Sequence, residues 1–115
     1  MKPTKERRRS PREMCSDFVQ LVWTDHRGRE ISQVALLEDV SPEGMCLQAE
    51  EPVPPMSPVR LHTRGFDGQA VVLYCERRDC GYQLGVEFAA DTGWDRGRWK
   101  PKHLLSATWL DACPR

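Results

Sequence analysis

The sequence contains no hydrophobic run that approaches the length of a membrane span, and charged residues make up 30% of it. Its first residues, MKPTKERRRSPR, lack both the apolar stretch and the small-residue cleavage site of a secretory signal. We therefore expect a cytoplasmic protein without a membrane span. With 115 residues, the chain has the length of one domain that can bury a core of its own.

Paired cysteines are also lacking. The cysteines form an odd set without a CxxC pair, which disfavours a disulfide framework and a zinc ribbon and favours free thiols. They are Cys15, Cys46, Cys75, Cys80 and Cys113. The spacing of Cys75 and Cys80 matches zinc ligands poorly, so we expect no metal. Cys15 follows a basic segment and is either a reactive thiol or an inert cysteine at the start of a strand.

The signals of an enzyme are absent as well. No glycine-rich phosphate loop precedes a helical pattern, and no serine, histidine and acidic residue share a recognisable local context. The histidines, His26, His62 and His103, lie in unrelated segments. We expect neither catalysis nor a bound cofactor.

The sequence does contain a series of β-strand patterns separated by turn signals. The clearest is YQLGVEF at 82–88, where apolar residues alternate with polar or small ones. Periodicity alone allows a helix at 30–40, but the turn sequence SPEG follows it and favours a strand. Six strands are predicted, at Asp17–Trp23, Glu30–Val40, Met45–Ala49, Val59–Thr63, Gln69–Tyr74 and Tyr82–Phe88. Their spacing is typical of a small antiparallel β-barrel.

Two segments do not fit the strand pattern. Four prolines in EEPVPPMSP, at 50–58, exclude a helix or a central strand and predict a rigid connection across an end of the barrel. Near the carboxyl terminus, Pro101 suits the first turn of a helix, and Leu105 and Trp109 follow at helical spacing. We expect a short C-terminal α-helix that packs on the barrel or caps it.

A formal net charge of zero conceals a strong asymmetry along the chain. Residues 1–12 carry six basic side chains and one acidic side chain, whereas residues 13–115 carry eleven basic and sixteen acidic ones. The first segment is therefore +5 and the rest −5. This distribution predicts a flexible anion-binding arm on an acidic body, although a basic tail can also simply keep a terminus solvated.

Within the arm, Arg8 and Arg12 are four positions apart. Pro11 disfavours helical angles at the residue before it, so the arm should be extended or turned. Two guanidinium groups can bind phosphates bidentately, stack on flat rings and donate to the O6/N7 edge of guanine. A cyclic dinucleotide offers all three targets.

A second constellation is the sequence DVSPEG at 39–44. In an extended segment Asp39 and Ser41 point to the same face and present a carboxylate beside a hydroxyl. A carboxylate can accept hydrogen bonds from N1 and N2 of guanine, the edge that the arginines leave free. Gly44 permits a positive φ or the close approach of a ligand.

An RxxxR arm followed some thirty residues later by a DxSxxG turn resembles the PilZ domain family. The segment GYQLGVEF at 81–88 is similar to the last barrel strand of that family. The resemblance covers roughly residues 6–90 and implies a six-stranded antiparallel β-barrel with a C-terminal helix. It divides the chain into an arm at 1–12, a barrel at 13–90, and a linker and helix at 91–115. The tail from Trp94 to Arg115 does not match the family.

The resemblance also implies a ligand, the bacterial second messenger cyclic di-GMP, bound on the outer surface of the barrel beneath the arm. Carried over residue by residue, Arg8 and Arg12 hold phosphate and guanine. Asp39 and Ser41 read a guanine edge, and Gly44 shapes the turn.

Three further residues are candidates by the same resemblance. Arg7 and Arg9 flank the motif and would contact a second messenger molecule, because the family often takes the messenger as a stacked pair. Gly85, on the polar face of the last strand, would leave room for a base.

The function that follows is a sensor or adaptor module, in which the ligand orders the arm and an unidentified protein effector reads the change. One alternative is a PilZ-fold adaptor without a nucleotide, working through its helix and tryptophans. Trp94 and Trp99 would then form a partner patch, whereas otherwise they cover a barrel end. The other is a nucleic-acid binder, which the acidic body disfavours, because such barrels carry aromatics on a basic face.

Overall fold

The computed structural model describes residues 13–90, 92–94 and 99–102, and in these ranges the chain is an antiparallel β-structure without a helix. The strands are β1 (Glu13–Thr24), β2 (Glu30–Ser41), β3 (Gly44–Ala49), β4 (Pro58–Thr63), β5 (Phe66–Arg78) and β6 (Gly81–Phe88). They close into a barrel in the order β1-β2-β3-β6-β5-β4, with β4 pairing to β1. The predicted six-stranded antiparallel barrel is confirmed. The predicted arm and C-terminal helix lie outside the described residues.

The sequence locates all six strands but places the ends of β5 incorrectly. That strand starts at Phe66 rather than Gln69, and its turn from β4 is only Arg64 and Gly65. The Phe66 side chain is buried and its ring lies 5.8 Å from that of Phe88, centroid to centroid. Burial of this ring draws the residues around it into the strand.

The core of the barrel is made of the inward-facing apolar side chains of all six strands. The proline-rich connection adds Val53, which is fully buried. Trp94 is also buried, and its indole N–H donates to the carbonyl oxygen of Trp99 at 2.7 Å. The Trp99 ring stacks on Phe66 at 5.6 Å between centroids. These two tryptophans therefore cover the core rather than form a partner patch.

Three irregularities interrupt the regular pairing of the strands. The register shifts between Met14 and Asp17 in β1, between Leu37 and Asp39 in β2, and between Val72 and Tyr74 in β5. A β-bulge re-aims side chains locally, and bulges are frequent next to functional sites. In the described part of the chain, no helix has the length and hydrophobicity needed to cross a membrane.

The fully buried Leu37 allows a direct test of the core. We expect Leu37→Ala to lower the free energy of unfolding by about 2–5 kcal/mol, because it removes buried methyl groups and leaves a cavity. Leu73→Ala is the matched control, since the Leu73 side chain is 51% exposed and should cost less than about 1 kcal/mol. Urea denaturation measures both. Equal stability of the two variants would contradict this description of the core.

Candidate functional site

The segment DVSPEG lies where β2 turns into β3, at the end of the barrel where β1 begins. Glu13, the first residue of β1, pairs with Val40, and Met14 pairs with Asp39. Arg12 directly precedes Glu13 in the sequence. The register of β1 on β2 therefore brings the attachment point of the basic segment beside Asp39 and Ser41.

Five residues form a continuous row across the outer surface at this level, and we call it the Asp39 row. Cross-strand pairing links them in the order Met14, Asp39, Cys46, Gly85 and Tyr74. The adjacent row, Val40, Met45, Val86 and Val72, belongs to the buried core. Since side chains alternate across a strand, the Asp39 row points outward. Each of the three register irregularities borders a member of this row.

Asp39 and Ser41 lie two positions apart and face the same side of β2, as the period-two pattern predicts. Their environments differ. Asp39 is half-buried, whereas Ser41 is only 4% exposed. The Ser41 hydroxyl donates to the Glu43 carboxylate at 3.3 Å and accepts the Glu43 backbone N–H at 3.3 Å. In this arrangement the hydroxyl stabilises the two-residue turn of Pro42 and Glu43.

The space beside Gly44 is occupied by the neighbouring strand. The φ of Gly44 is not positive, and the close approach is made by the neighbouring strand. A Cβ atom at this position would overlap the carbonyl oxygen of Val86 in β6. Gly44 thus allows β6 to pack against the start of β3, which fixes the turn that follows Asp39.

Gly85 differs from its predicted role, because the space above it is already filled. A Cβ atom there would overlap the ring of Tyr74, its cross-strand partner. The absent side chain therefore makes room for this ring rather than for an open pocket. Tyr74 remains 37% exposed, so a flat ligand would meet the ring and not the glycine.

Cys46 joins the middle of the Asp39 row to a polar network. The Gln83 side-chain amide donates to its sulfur at 3.1 Å, and the Tyr74 hydroxyl lies 3.8 Å from the same atom. The Cys46 thiol also points to the Glu38 carboxylate at 3.8 Å. Sequence reasoning missed Tyr74, Gln83 and Glu38. The only sequence signal for these three residues is the alternation that tells which side chains of a strand point outward. The β-bulges interrupt that alternation.

Among the described residues, the charges that act on Cys15 and Cys46 are those of carboxylates. Burial, followed by the charges of Asp39, Asp17 and Glu13, raises the pKa of Cys15 to about 12. Burial and the Asp39 charge also raise the pKa of the Cys46 thiol, although hydrogen bonds from Tyr74 and Gln83 oppose the shift. Both thiols are therefore protonated at neutral pH. For Cys15 these surroundings disfavour the thiolate, which favours the inert alternative.

Metal ligands are not gathered anywhere in residues 13–90, 92–94 and 99–102, where no group of three or more His, Cys, Asp or Glu side chains is placed to hold an ion. The four cysteines in these ranges are free. The predicted arginines Arg7, Arg8, Arg9 and Arg12 lie outside the described residues.

Comparison of the chain with known protein families, with curated proteins and with solved structures finds no match. The fold and the Asp39 row together define a closed six-stranded barrel with an acidic and aromatic outer surface patch. The chemistry of this patch must be understood from its own residues.

A Gly44 variant tests the strand contact at the turn. We expect Gly44→Ala to lower the free energy of unfolding by about 1–3 kcal/mol, because a methyl group would force β3 and β6 apart. Gly93→Ala serves as the control, since the nearest atom to its new Cβ would be 3.7 Å away. Thermal unfolding compares them. If Gly44→Ala unfolds at the temperature of Gly93→Ala, the close approach of Val86 is not tight.

The raised pKa of Cys15 predicts slow chemistry at that thiol. At pH 8 we expect iodoacetamide to modify the exposed Cys80 at least about tenfold faster than Cys15, because thiolate is the reacting form. Peptide mass spectrometry resolves the two sites.

The free energy of unfolding should also fall as pH rises from about 9 towards 12, because only the unfolded Cys15 thiol ionises readily there. Cys15→Ala should show a smaller alkaline loss, and an equal loss would contradict the assignment.

Proposed function

We propose that this protein is a cytoplasmic sensor module of the PilZ type that binds cyclic di-GMP and presents a changed surface to a protein effector. One observation carries the proposal, namely the pairing of Glu13 with Val40. Because of it, Glu13, which follows Arg12 in the sequence, pairs with the residue between Asp39 and Ser41. Residues that are far apart in the sequence then act on one ligand.

Charge complementarity supports the proposal. The body near the start of β1 presents Glu13, Asp17 and Asp39, whose charges add to the effect of burial in raising the pKa of the Cys15 thiol. An arm with a net charge of +5 is attracted to such a surface. A ligand with two phosphate groups would sit between the arm and the barrel and would neutralise the arginines.

The residues of the Asp39 row supply the chemistry that guanine requires. The Asp39 carboxylate can accept from N1 and N2 of the base, while an arginine of the arm donates to O6 and N7. The Tyr74 ring, which lies next to Gly85 and is 37% exposed, offers an apolar face on which a base can stack. Base stacking on an aromatic side chain contributes about 1–3 kcal/mol.

Ordering the arm opposes these contacts. Fixing a residue costs roughly 1–2 kcal/mol of conformational entropy, so several arginine contacts are needed to offset it. A micromolar dissociation constant, equivalent to about −8 kcal/mol, is the expected net result. The ordered arm then alters the shape and charge of the barrel surface, and this change is what an effector would recognise.

Isothermal titration with cyclic di-GMP tests the proposal. We expect saturable binding by the wild type and a loss of at least about 100-fold in Arg8→Ala/Arg12→Ala, since each charge-assisted hydrogen bond contributes roughly 1.5–3 kcal/mol. Asp39→Asn should also weaken binding, because an amide nitrogen cannot accept from guanine. The stoichiometry distinguishes one messenger from a stacked pair, for which Arg7 and Arg9 are the expected extra contacts.

The matched control is Arg27→Ala/Arg64→Ala, which removes the same charge from two exposed turns. It should bind as the wild type does. GTP and cyclic GMP serve as ligand controls. Absence of heat and of any thermal shift with cyclic di-GMP would overturn the proposed function, and equal losses in the two double variants would reduce it to general charge attraction.

A second candidate is a PilZ-fold interaction adaptor without a nucleotide ligand. It is favoured by Phe18 and Val34, which are 65% and 62% exposed on the outer face of β1 and β2. Exposed apolar groups of this kind often mark protein contacts. The buried Trp94 does not contribute to such a surface. This candidate predicts that function survives Arg8→Ala/Arg12→Ala and is lost in Phe18→Ser.

A further inference from the structure

The outer face of β1 and β2 carries an apolar patch that lies outside the Asp39 row. Phe18 pairs across the strands with Leu36, and the next outward pair is Gln20 with Val34. These residues alternate with buried residues of the same strands, so their side chains point outward. Phe18 is 65% exposed, Val34 is 62% exposed and Leu36 is half-buried. We call Phe18, Val34 and Leu36 the Phe18 patch.

Two exposed cations border the patch at Phe18. The Thr63 hydroxyl donates to the carbonyl oxygen of Phe18 at 3.1 Å, and Arg64 is the next residue of the chain. The Lys102 N–H donates to the carboxylate of Asp17 at 3.0 Å, and the same carboxylate accepts the Phe18 N–H. Two exposed cations therefore accompany one half-buried carboxylate, and this basic end of the patch has a net positive charge.

The other end of the patch, at Val34, is bordered by carboxylates. The β3 partner of Leu36 lies two residues before Glu50, so the register brings Glu50 beside Val34. The side-chain oxygen of Gln33 accepts the backbone N–H groups of Glu50 and Glu51, both at 3.1 Å. Both glutamates are exposed. This is the acidic end of the patch.

The charges at the two ends have no partners within the barrel. In residues 13–90, 92–94 and 99–102, none of Arg64, Lys102, Glu50 and Glu51 takes part in an ion pair. An exposed apolar patch with a polar rim is typical of a protein contact. Because the rim is basic at one end and acidic at the other, the patch is complementary to a second copy of itself.

We propose that two copies of this chain associate through the Phe18 patch in a symmetric dimer. In a two-fold contact both protomers offer the same surface, so each residue contact occurs twice. Phe18 of one protomer packs on Val34 of the partner subunit, and each basic end meets an acidic end. The opposite alignment would bring like charges together, which disfavours it. The proposal is independent of cyclic di-GMP binding, since none of its residues belongs to the Asp39 row.

Sedimentation equilibrium of the full chain at increasing concentration tests the dimer. Stable interfaces bury about 1,200–2,000 Å², more than a patch of three apolar side chains and its rim offers, so the dimer should dissociate on dilution. We expect the mass to rise from 13.2 kDa towards twice that value as the concentration increases. A wild-type chain that stays monomeric into the millimolar range would overturn the proposal.

A substitution at the centre of the patch should weaken association. We expect Phe18→Ser to raise the dimer dissociation constant at least about tenfold, because central aromatic side chains contribute most to an interface. Leu73→Ser is the matched control, since Leu73 is 51% exposed outside the patch. Thermal unfolding verifies that both variants fold. Equal dissociation constants for the two variants would exclude the patch as the contact.

Charge reversal at the two ends tests the alignment of the protomers. Arg64→Glu/Lys102→Glu makes both ends acidic, whereas Glu50→Lys/Glu51→Lys makes both ends basic. Neither variant should self-associate, because like charges then meet at each end. An equimolar mixture of the two variants should dimerise again, because every basic end then meets an acidic end. If the mixture stays monomeric, the proposed alignment is wrong.

The matched controls reverse the same number of charges at exposed positions away from the patch. They are Arg27→Glu/Arg77→Glu and Asp79→Lys/Glu87→Lys. Each should dimerise alone as the wild type does. If these variants lose self-association and regain it on mixing, as the patch variants should, the attraction is general and the Phe18 patch is not the interface.

Discussion

The register of β1 on β2 is the constraint on which the rest of the molecule depends. Successive side chains in a strand point to opposite faces of the sheet. A slip of β2 by one position would therefore turn Asp39 inward and Val40 outward. The fully buried Val40 resists that slip, because it would expose an apolar side chain and bury a carboxylate without compensation. The packing of the core therefore holds the polar turn at the surface.

The bulges explain how one barrel wall serves both a core and a polar surface. A regular six-stranded barrel presents alternate residues outward at a fixed angle, whereas an extra residue increases the local twist. Here the irregularities of three strands occur at one level and crowd Asp39, Cys46 and Tyr74 together. Burial and then the Asp39 charge raise the pKa of the Cys46 thiol, whereas the Tyr74 hydroxyl, 3.8 Å from the sulfur, opposes that rise.

The fold was largely predictable from the sequence, because alternation and turn residues are local signals. Six strands, the turn after Ser41 and the shared face of Asp39 and Ser41 all follow from period two. The start of β5 was not predictable in this way, because Phe66 joins the strand through contacts with Phe88 and Trp99 that are distant in sequence.

The surface patch was less predictable than the fold. Gly85 was expected to leave room for a base, but the Tyr74 ring fills that space, and the pairing of the two residues depends on a bulge that leaves no clear mark in the sequence. Gly44 was expected to allow a positive φ or the close approach of a ligand, whereas its φ is not positive and the approaching atom belongs to Val86. In both cases the glycine indicates that another residue approaches closely. Only the strand register identifies that residue, Val86 at Gly44 and Tyr74 at Gly85.

Lys102, the last described residue, lies beside the first residues of β1. The Ser16 N–H donates to the carbonyl oxygen of Lys102 at 2.9 Å, and the Lys102 N–H donates to the carboxylate of Asp17 at 3.0 Å. Because residues 16–17 and residue 102 are neighbours in space, a short linker that joined the chain at these two places would leave the strand order unchanged. The barrel is accordingly suited to circular permutation, with new termini at the exposed turn of Arg64 and Gly65.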